Sequence, residues 1–257
     1  RQVKDVMVFL QSHGITTGYA VKIFKQYGQD SIQKVRTNPY RLERDISGIG
    51  FSIADRIAQN LGLSKGAPQR VQAGIRYLLD QAADDGHVFL PGGRQKPGQP
   101  GLIERAKDIL EINAELIPPA LEALRADDGV VTEALRYFLP PLYHAEVGVA
   151  SSIRRLLRTP CEKPLQSGGP VNDDLKLAPT QQEAVDLAVA EKVMILTGGP
   201  GTGKTTVTKR ILACFEGGGL KVALCSPTGR AAKRLGEATG REARTIHRLL
   251  EFLLCHL

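Results

Sequence analysis

Apolar residues recur at Val3, Val6, Met7 and Leu10, the three- and four-residue spacing of a helix with one buried stripe. Aligned on itself at an offset of 34, the chain repeats this start: Gly14-Ile15 matches Gly48-Ile49, Ala20 matches Ala54, Ile23 matches Ile57, and Gly28 matches Gly62. Each copy reads as helix, tight glycine turn, helix. A further helix is expected from Pro68, where Val71, Ile75, Leu78, Leu79 and Ala82 share one face. His87 to Leu90 reads as a short strand. Helices follow at 102–112, 118–126 and 142–157, with short strands near Gly129 to Thr132 and Tyr137 to Leu139.

Glycine and proline punctuate this pattern. Pro91, Gly92, Gly93, Pro97, Gly98, Pro100 and Gly101 cannot hold a helix or central strand, so 91–101 is expected to be a mobile loop. Residues 159–176 contain Pro160, Pro164, Gly168, Gly169 and Pro170 without apolar periodicity, and are expected to link two domains. Beyond them a buried strand over Lys192 to Thr197, a helix over 204–216, a strand over Lys221 to Ser226 and a helix over 229–238 alternate. That order predicts a parallel sheet with crossover helices. The expected organisation is thus 1–66, a tandem of helical hairpins; 67–158, a small winged-helix-like α+β unit; the linker; and 177–257, the start of an α/β domain.

Net charge changes this picture by suggesting a partner. The chain carries a formal charge of +7, and residues 1–80 hold 12 Lys/Arg against 6 Asp/Glu. An excess of that sign attracts polyanions and favours nucleic acid, although mild basicity also occurs in proteins that bind none. Cys161, Cys214, Cys225 and Cys255 lie too far apart for a paired metal or redox motif and read as buried free thiols. No apolar run approaches the ~18 residues that a bilayer span requires. Nor do residues 1–20 have a signal-peptide pattern, so a cytoplasmic location is expected. The chain opens in helical pattern without an initiator Met, as a cut N-terminus would.

The sharpest chemical signal is Gly198-Gly199-Pro200-Gly201-Thr202-Gly203-Lys204-Thr205, which fits G-x-x-x-x-G-K-[ST] between an expected strand and an expected helix. Such a loop needs glycine because its backbone N–H groups must curl inward on phosphate oxygens, where a Cβ would obstruct them. The helix N-terminus adds partial positive charge. Lys204 is expected on the β and γ phosphates of ATP and the Thr205 hydroxyl on Mg²⁺, with Gly199 to Thr206 forming the nucleotide cradle. Upstream, Thr180 and Glu183 have capping-box spacing, which accounts for both but not for Gln181. Ser226 to Arg230 ends a strand and opens a helix. Backbone N–H groups there, with Pro227, Thr228, Gly229 and Arg230, could hold a DNA phosphate, or Thr228 and Gly229 could simply start the helix. Gly48 and Gly50 present the same choice between gripping phosphate without reading bases and close packing. His247 is either a DNA contact or a locally packed helix-start residue, and Arg241, Arg244 and Arg248 could be only a solvated face.

The strings Thr197 to Thr206, Ser226 to Leu235 and Thr245 to Leu250 together resemble motifs I, Ia and Ib of the RecD/TraA helicases. The turn Ile46 to Ile57 resembles a helix-hairpin-helix motif, with Thr16 in place of Gly50 in the degenerate first copy. The segments Asn38 to Leu42 and Leu139 to Tyr143 also look like the branch that lacks RecB and RecC partners. The resemblance implies an incomplete RecA-like domain after 177, an adenine contact through Gln181, which stands twenty residues before Gly201, and single-stranded DNA at 226–230. It implies an ATP-dependent helicase moving 5′ to 3′ and acting on single strands and junctions. No Asp-Glu strand end and no second RecA-like half follow the loop, so a fragment lacking turnover is expected. A non-catalytic DNA- and nucleotide-binding module, or another phosphate-loop enzyme such as a nucleotide kinase or clamp-loader ATPase, are the alternatives.

Overall fold

A computed structural model describes residues 2–94, 96–159 and 177–254. They divide into two compact units, Arg1–Gly148 and Val149–Leu257. The first unit opens with α1 (Gln2–Ser12), α2 (Thr17–Tyr27), a 3-10 turn at Gly28–Asp30, α3 (Ser31–Thr37), α4 (Arg41–Asp45) and α5 (Phe51–Asn60). The sequence repeat is a structural one: Ala20, Ala54, Ile23 and Ile57 are all fully buried. Small Ala at the contact lets α1 approach α2, and α4 approach α5, in two successive hairpins.

Helix α6 (Pro68–Asp84) starts at a proline in its first turn, where the missing N–H costs nothing. It packs on α5, α7 (Leu102–Leu110), α8 (Ile117–Ala126) and β1 (Phe89–Pro91). Residues on both sides of position 66 therefore share one core that runs from Val6 to Val130. The rings of Phe51 and Tyr77 stack at 5.0 Å across that position.

A buried polar clamp joins the same elements. Arg70 donates to both carboxylate oxygens of Asp55 (2.8 and 3.1 Å) and to the carbonyls of Lys65 (2.9 Å) and Leu110 (2.7 Å). Tyr40 and Gln59 donate to Asp55 as well, at 2.6 and 3.0 Å. Burial pushes the Asp55 pKa up, but the hydrogen bonds from Arg70 and Tyr40 outweigh it and hold the carboxyl below its ordinary value. Loss of either charge would leave the other buried alone, so the clamp fixes how α4, α5, α6 and the end of α7 meet.

Strands β1, β2 (Val131–Glu133) and β3 (Arg136–Phe138) form an antiparallel sheet in the order β1-β3-β2. Helix α9 (Pro140–Arg158) begins in the first unit, with Tyr143 edge-on to Phe138 at 5.2 Å, and ends in the second. Pro91 ends β1, and the described residues from Gly92 to Gly101 form neither a helix nor a named strand, as the composition predicts. Rather than standing free, the segment is tied down: Gly92 N–H donates to Leu135 O (2.8 Å), Ile103 N–H to Gly92 O (3.2 Å) and Arg105 to Pro100 O (3.1 Å).

The second unit holds α10 (Pro179–Ala190), α11 (Lys204–Gly217), β4 (Leu224–Ser226), α12 (Gly229–Thr239), β5 (Ala243–Thr245) and α13 (Ile246–Leu254). β4 and β5 pair in parallel, with α12 as the crossover that a parallel pair requires. The expected strand over Lys192 to Thr197 is not formed. No described strand pairs with it, and Ile195 is 83% exposed. A buried strand needs a ladder on its edges and helices on its faces, and apolar residues alone supply neither. Cys225 is exposed and Cys214 half-buried, which corrects the expectation of buried thiols. Cys225 sits at the centre of a three-residue strand whose side-chain cover among the described residues is thin. Cys161, Cys255 and most of the expected linker lie outside the described residues. Among those described, no helix is long and apolar enough to cross a membrane.

Candidate nucleotide site and DNA-binding hairpins

The loop from Gly198 to Gly203 runs into the N-terminus of α11, so that unpaired helix N–H groups and the loop backbone occupy one place. Gly201 and Gly203 have φ of 78° and 82°, the left-handed region in which a side chain is strained. A Cβ on Gly203 would also stand 2.5 Å from the Gln181 amide nitrogen. The Lys204 ammonium folds back over the loop and donates to Gly198 O (2.5 Å) and Gly199 O (2.6 Å). Thr202 braces the same turn through Gly199 O at 2.9 Å. Pro200 and Thr205 are exposed, while Thr206 is half-buried.

Gln181 is placed by its helix. Pro179 takes the first turn of α10, which makes Ala178 the N-cap; the expected cap at Thr180 with Glu183 as partner is not formed. Instead the Gln181 carbonyl accepts the Ala178 N–H at 3.0 Å, and its amide donates to Thr202 O at 3.1 Å. One side chain therefore caps α10 and holds the phosphate loop. Each of its two amide groups keeps a further hydrogen-bonding position, which an adenine edge could use.

At the β4-to-α12 junction Thr228 is the N-cap of α12, its hydroxyl accepting the Ala231 N–H at 3.2 Å. The helix-start role is thus filled. Pro227, Gly229 and Arg230 are exposed beside it. His247 is exposed on the first turn of α13, where Thr245 accepts the Arg248 N–H at 3.3 Å. Arg241 pairs with Glu216, and Arg244 with Glu242 at 2.7 Å, so two members of the arginine run are engaged in ion pairs.

In the second hairpin Gly48 has φ of 93°, whereas Gly50 is extended (φ −94°, ψ 178°) and caps α5. Nothing lies within 4 Å of a Cβ built on Gly50, so close packing within the chain does not require glycine there. Two contacts hold the turn from behind: the Tyr19 hydroxyl donates to Gly48 O (2.8 Å) and Lys22 to Ser47 O (3.0 Å). The first hairpin is held reciprocally by Asn60, which donates to His13 O at 2.9 Å. These cross-hairpin anchors link residues up to 47 positions apart, and no local pattern announces them.

Residues 1–89 match the family model described as the ATP-dependent RecD2 DNA helicase HHH domain, and residues 181–255 match one described as an AAA domain. The chain is 36% identical to the ATP-dependent RecD2 DNA helicase of Deinococcus radiodurans over 97% of its own length and 36% of that relative's. It is 41% identical to the RecBCD enzyme subunit RecD of Mycobacterium tuberculosis over 31% of its length and 19% of that protein's. It is also 43% identical to the ATP-dependent DNA helicase dda of Enterobacteria phage T4 over 25% of the chain and 15% of the relative. The chain thus spans about a third of the length of the relative that it matches along nearly all of its own.

Proposed function

From the premise that this chain is RecD-like from its helical hairpins to its phosphate loop, we propose that it provides the DNA-gripping and nucleotide-gripping parts of an ATP-driven DNA helicase. The observation that carries the reading is the Lys204 ammonium folded over a loop whose Gly201 and Gly203 are left-handed, at the start of α11. The cradle suits a triphosphate: Gly199 to Thr206 would surround it, Lys204 would exchange two carbonyl oxygens for β and γ phosphate oxygens, and Thr205 would face Mg²⁺. Mg²⁺, when bound, neutralises charge on the β and γ phosphates. Gln181 would read the adenine edge while remaining tied to Thr202.

In this reading the DNA contacts divide by chemistry. Gly48 to Gly50 grip phosphates through backbone N–H groups and ignore sequence, as a motor must. Pro227 to Arg230 and His247 meet a single strand, and the β1-β3-β2 sheet of the first unit with its helices would guide duplex as a winged helix does. The 5′ to 3′ direction, cytoplasmic action without RecB or RecC, and a role in repair or recombination follow the family reading.

Calorimetric titration of the 257-residue chain with a non-hydrolysable ATP analogue and Mg²⁺, beside a DNA-binding measurement, tests the proposal. Binding that Lys204→Ala abolishes, with DNA affinity unchanged, is the expected result. An analogue held equally well by Lys204→Ala would remove the phosphate loop from the reading.

A further inference from the structure

The two hairpin turns match in sequence but not in what their backbones do. In the first turn every N–H from His13 to Ile15 is engaged within the chain: His13 and Ile15 donate to Leu10 O (3.3 and 3.0 Å) and Gly14 to Gln11 O (3.0 Å). Thr16, in the place of Gly50, then sets a branched side chain beside the next one. In the second turn Ile49 N–H donates to Ile46 O (3.1 Å), but Gly48 N–H and Gly50 N–H find no acceptor among the described residues. Both glycines are exposed.

What sets the second turn is the other hairpin. A trans peptide points its carbonyl and its N–H to opposite sides, so holding the carbonyl fixes where the N–H faces. Lys22 on α2 holds Ser47 O at 3.0 Å, which turns Gly48 N–H the other way, and Tyr19 holds Gly48 O at 2.8 Å. A Cβ on Gly48 would stand 3.6 Å from the Tyr19 ring and 3.8 Å from the Lys22 ammonium, ordinary contact distances, so both side chains back the turn closely. The equivalent carbonyl of the first turn, His13 O, is held by Asn60, which is not the repeat partner of Lys22. That partner, Arg56, makes no such bond among the described residues. Stability gives little reason for the Lys22 contact, since an exposed lysine loses side-chain freedom to hold a carbonyl that water would serve as well.

We propose that Tyr19 and Lys22 are positioning residues for DNA. They hold the backbone from Ser47 to Ile49 so that Gly48 N–H, with Gly50 N–H near it, faces a phosphate, while the first hairpin supports the second and grips nothing through its own turn. The inference rests on the reading that the second turn holds phosphate, and adds which side chains make it able to.

The test uses the 257-residue chain, labelled isotopically at its glycine nitrogens, with a single-stranded DNA of mixed sequence. In wild type, DNA should shift the amide resonances of Gly48 and Gly50 and leave that of Gly14 in place. Tyr19→Phe removes one hydroxyl and no charge, and should raise the Kd roughly three- to tenfold while the chain unfolds near the wild-type temperature. Lys22→Met should raise it further than Lys4→Met, which removes an equal charge from α1, and should abolish the Gly48 response. Lys22→Arg, which can still donate to Ser47 O, should restore both. Once Gly50→Val has obstructed the turn, Tyr19→Phe should cost no additional affinity. A Lys22→Met chain that loses affinity yet keeps the Gly48 response would overturn the proposal, because the ammonium would then act by its charge alone. Wild-type affinity in Tyr19→Phe would overturn it too, and a Gly14 resonance that moves with Gly48 would overturn the supporting role of the first hairpin. DNA bound with neither Gly48 nor Gly50 responding would overturn the reading of the second turn as a grip, and the proposal with it.

Discussion

Substituting Gly50 separates packing from phosphate grip, because the two roles predict opposite results. Gly50 is extended at φ −94°, a conformation open to any residue, and space is free where a Cβ would stand. Gly50→Val should therefore cost about 1 kcal/mol or less, chiefly the poorer standing of valine at a helix N-cap. If the turn holds a phosphate through backbone N–H groups, a branched side chain there obstructs the approach. One such bond to a charged group is worth about 1.5–3 kcal/mol. That corresponds to roughly a 10- to 100-fold rise in Kd. Fluorescence anisotropy on two unrelated DNA sequences should show the same loss on both. The slope of log affinity against log salt should fall by roughly one unit for each phosphate that the turn no longer holds. Gly48→Ala is the informative companion: its φ of 93° predicts a loss of stability whether or not DNA is bound there. A Gly50→Val chain with wild-type stability and wild-type affinity would refute the reasoning and leave the turn as architecture.

Other expectations concern the clamp and the nucleotide site. Asp55→Ala should destabilise the first unit by about 3–5 kcal/mol, since it strands the buried Arg70 charge, as chemical denaturation would measure. Because the Asp55 pKa is depressed in the fold, the stabilisation it gives is present above its unfolded value of about 3.9 and disappears as pH falls through the lower folded value. The stability gap between wild type and Asp55→Asn should accordingly be flat near neutrality and close in acid; a gap independent of pH down to full protonation would contradict the assigned ion pair. Gln181→Ala should lower the preference for adenine over guanine nucleotides and weaken binding of both by freeing Thr202 O, with DNA affinity as the unmoved control. The 257-residue chain should bind the ATP analogue yet release no phosphate over many turnovers with single-stranded DNA present, because no Asp follows Lys204 in it to hold metal and water. Steady release that Lys204→Ala removes would show otherwise.

The hairpins are legible in the sequence because their information is local and doubled: the 34-residue repeat puts glycine at the turns and Ala and Ile at the same helix positions. The phosphate loop is legible because few backbones other than a curled cradle need that many glycines before Lys-Thr. The strand expected over 192–197 fails for the opposite reason, since pairing depends on neighbours that a hydropathy pattern does not contain. The three-residue β5, Ala243–Thr245, carries no strand signal because two of its residues are half-buried polar ones. At α10 the informative residue is Pro179: a proline in the first turn fixes Ala178 as N-cap and makes Gln181 the third helical residue, the one whose side chain reaches back. The cap and the loop contact of Gln181 are then one arrangement.

The first hairpin unit has a charge excess, but much of its cationic surface is already engaged. Lys22 holds Ser47 O, Arg70 is buried on Asp55, Arg41 pairs with Asp45, and Lys34 and Arg36 lie over the rings of Tyr27 and Phe9. What remains acts at a distance, attracting a polyanion without fixing its register. In the proposed reading, short-range hold then falls to neutral backbone N–H groups at the turns, whose bonds to phosphate would be worth less than a bidentate guanidinium clamp and uniform along any strand. In the proposed translocating role, where each phosphate must be released before the next is taken, that division would be favourable: attraction that never fully releases the strand, and contacts that individually do. Conversely, replacing the turn by basic side chains should tighten binding while hindering movement, because a charged clamp deepens each resting place along the strand without lowering the barrier between them.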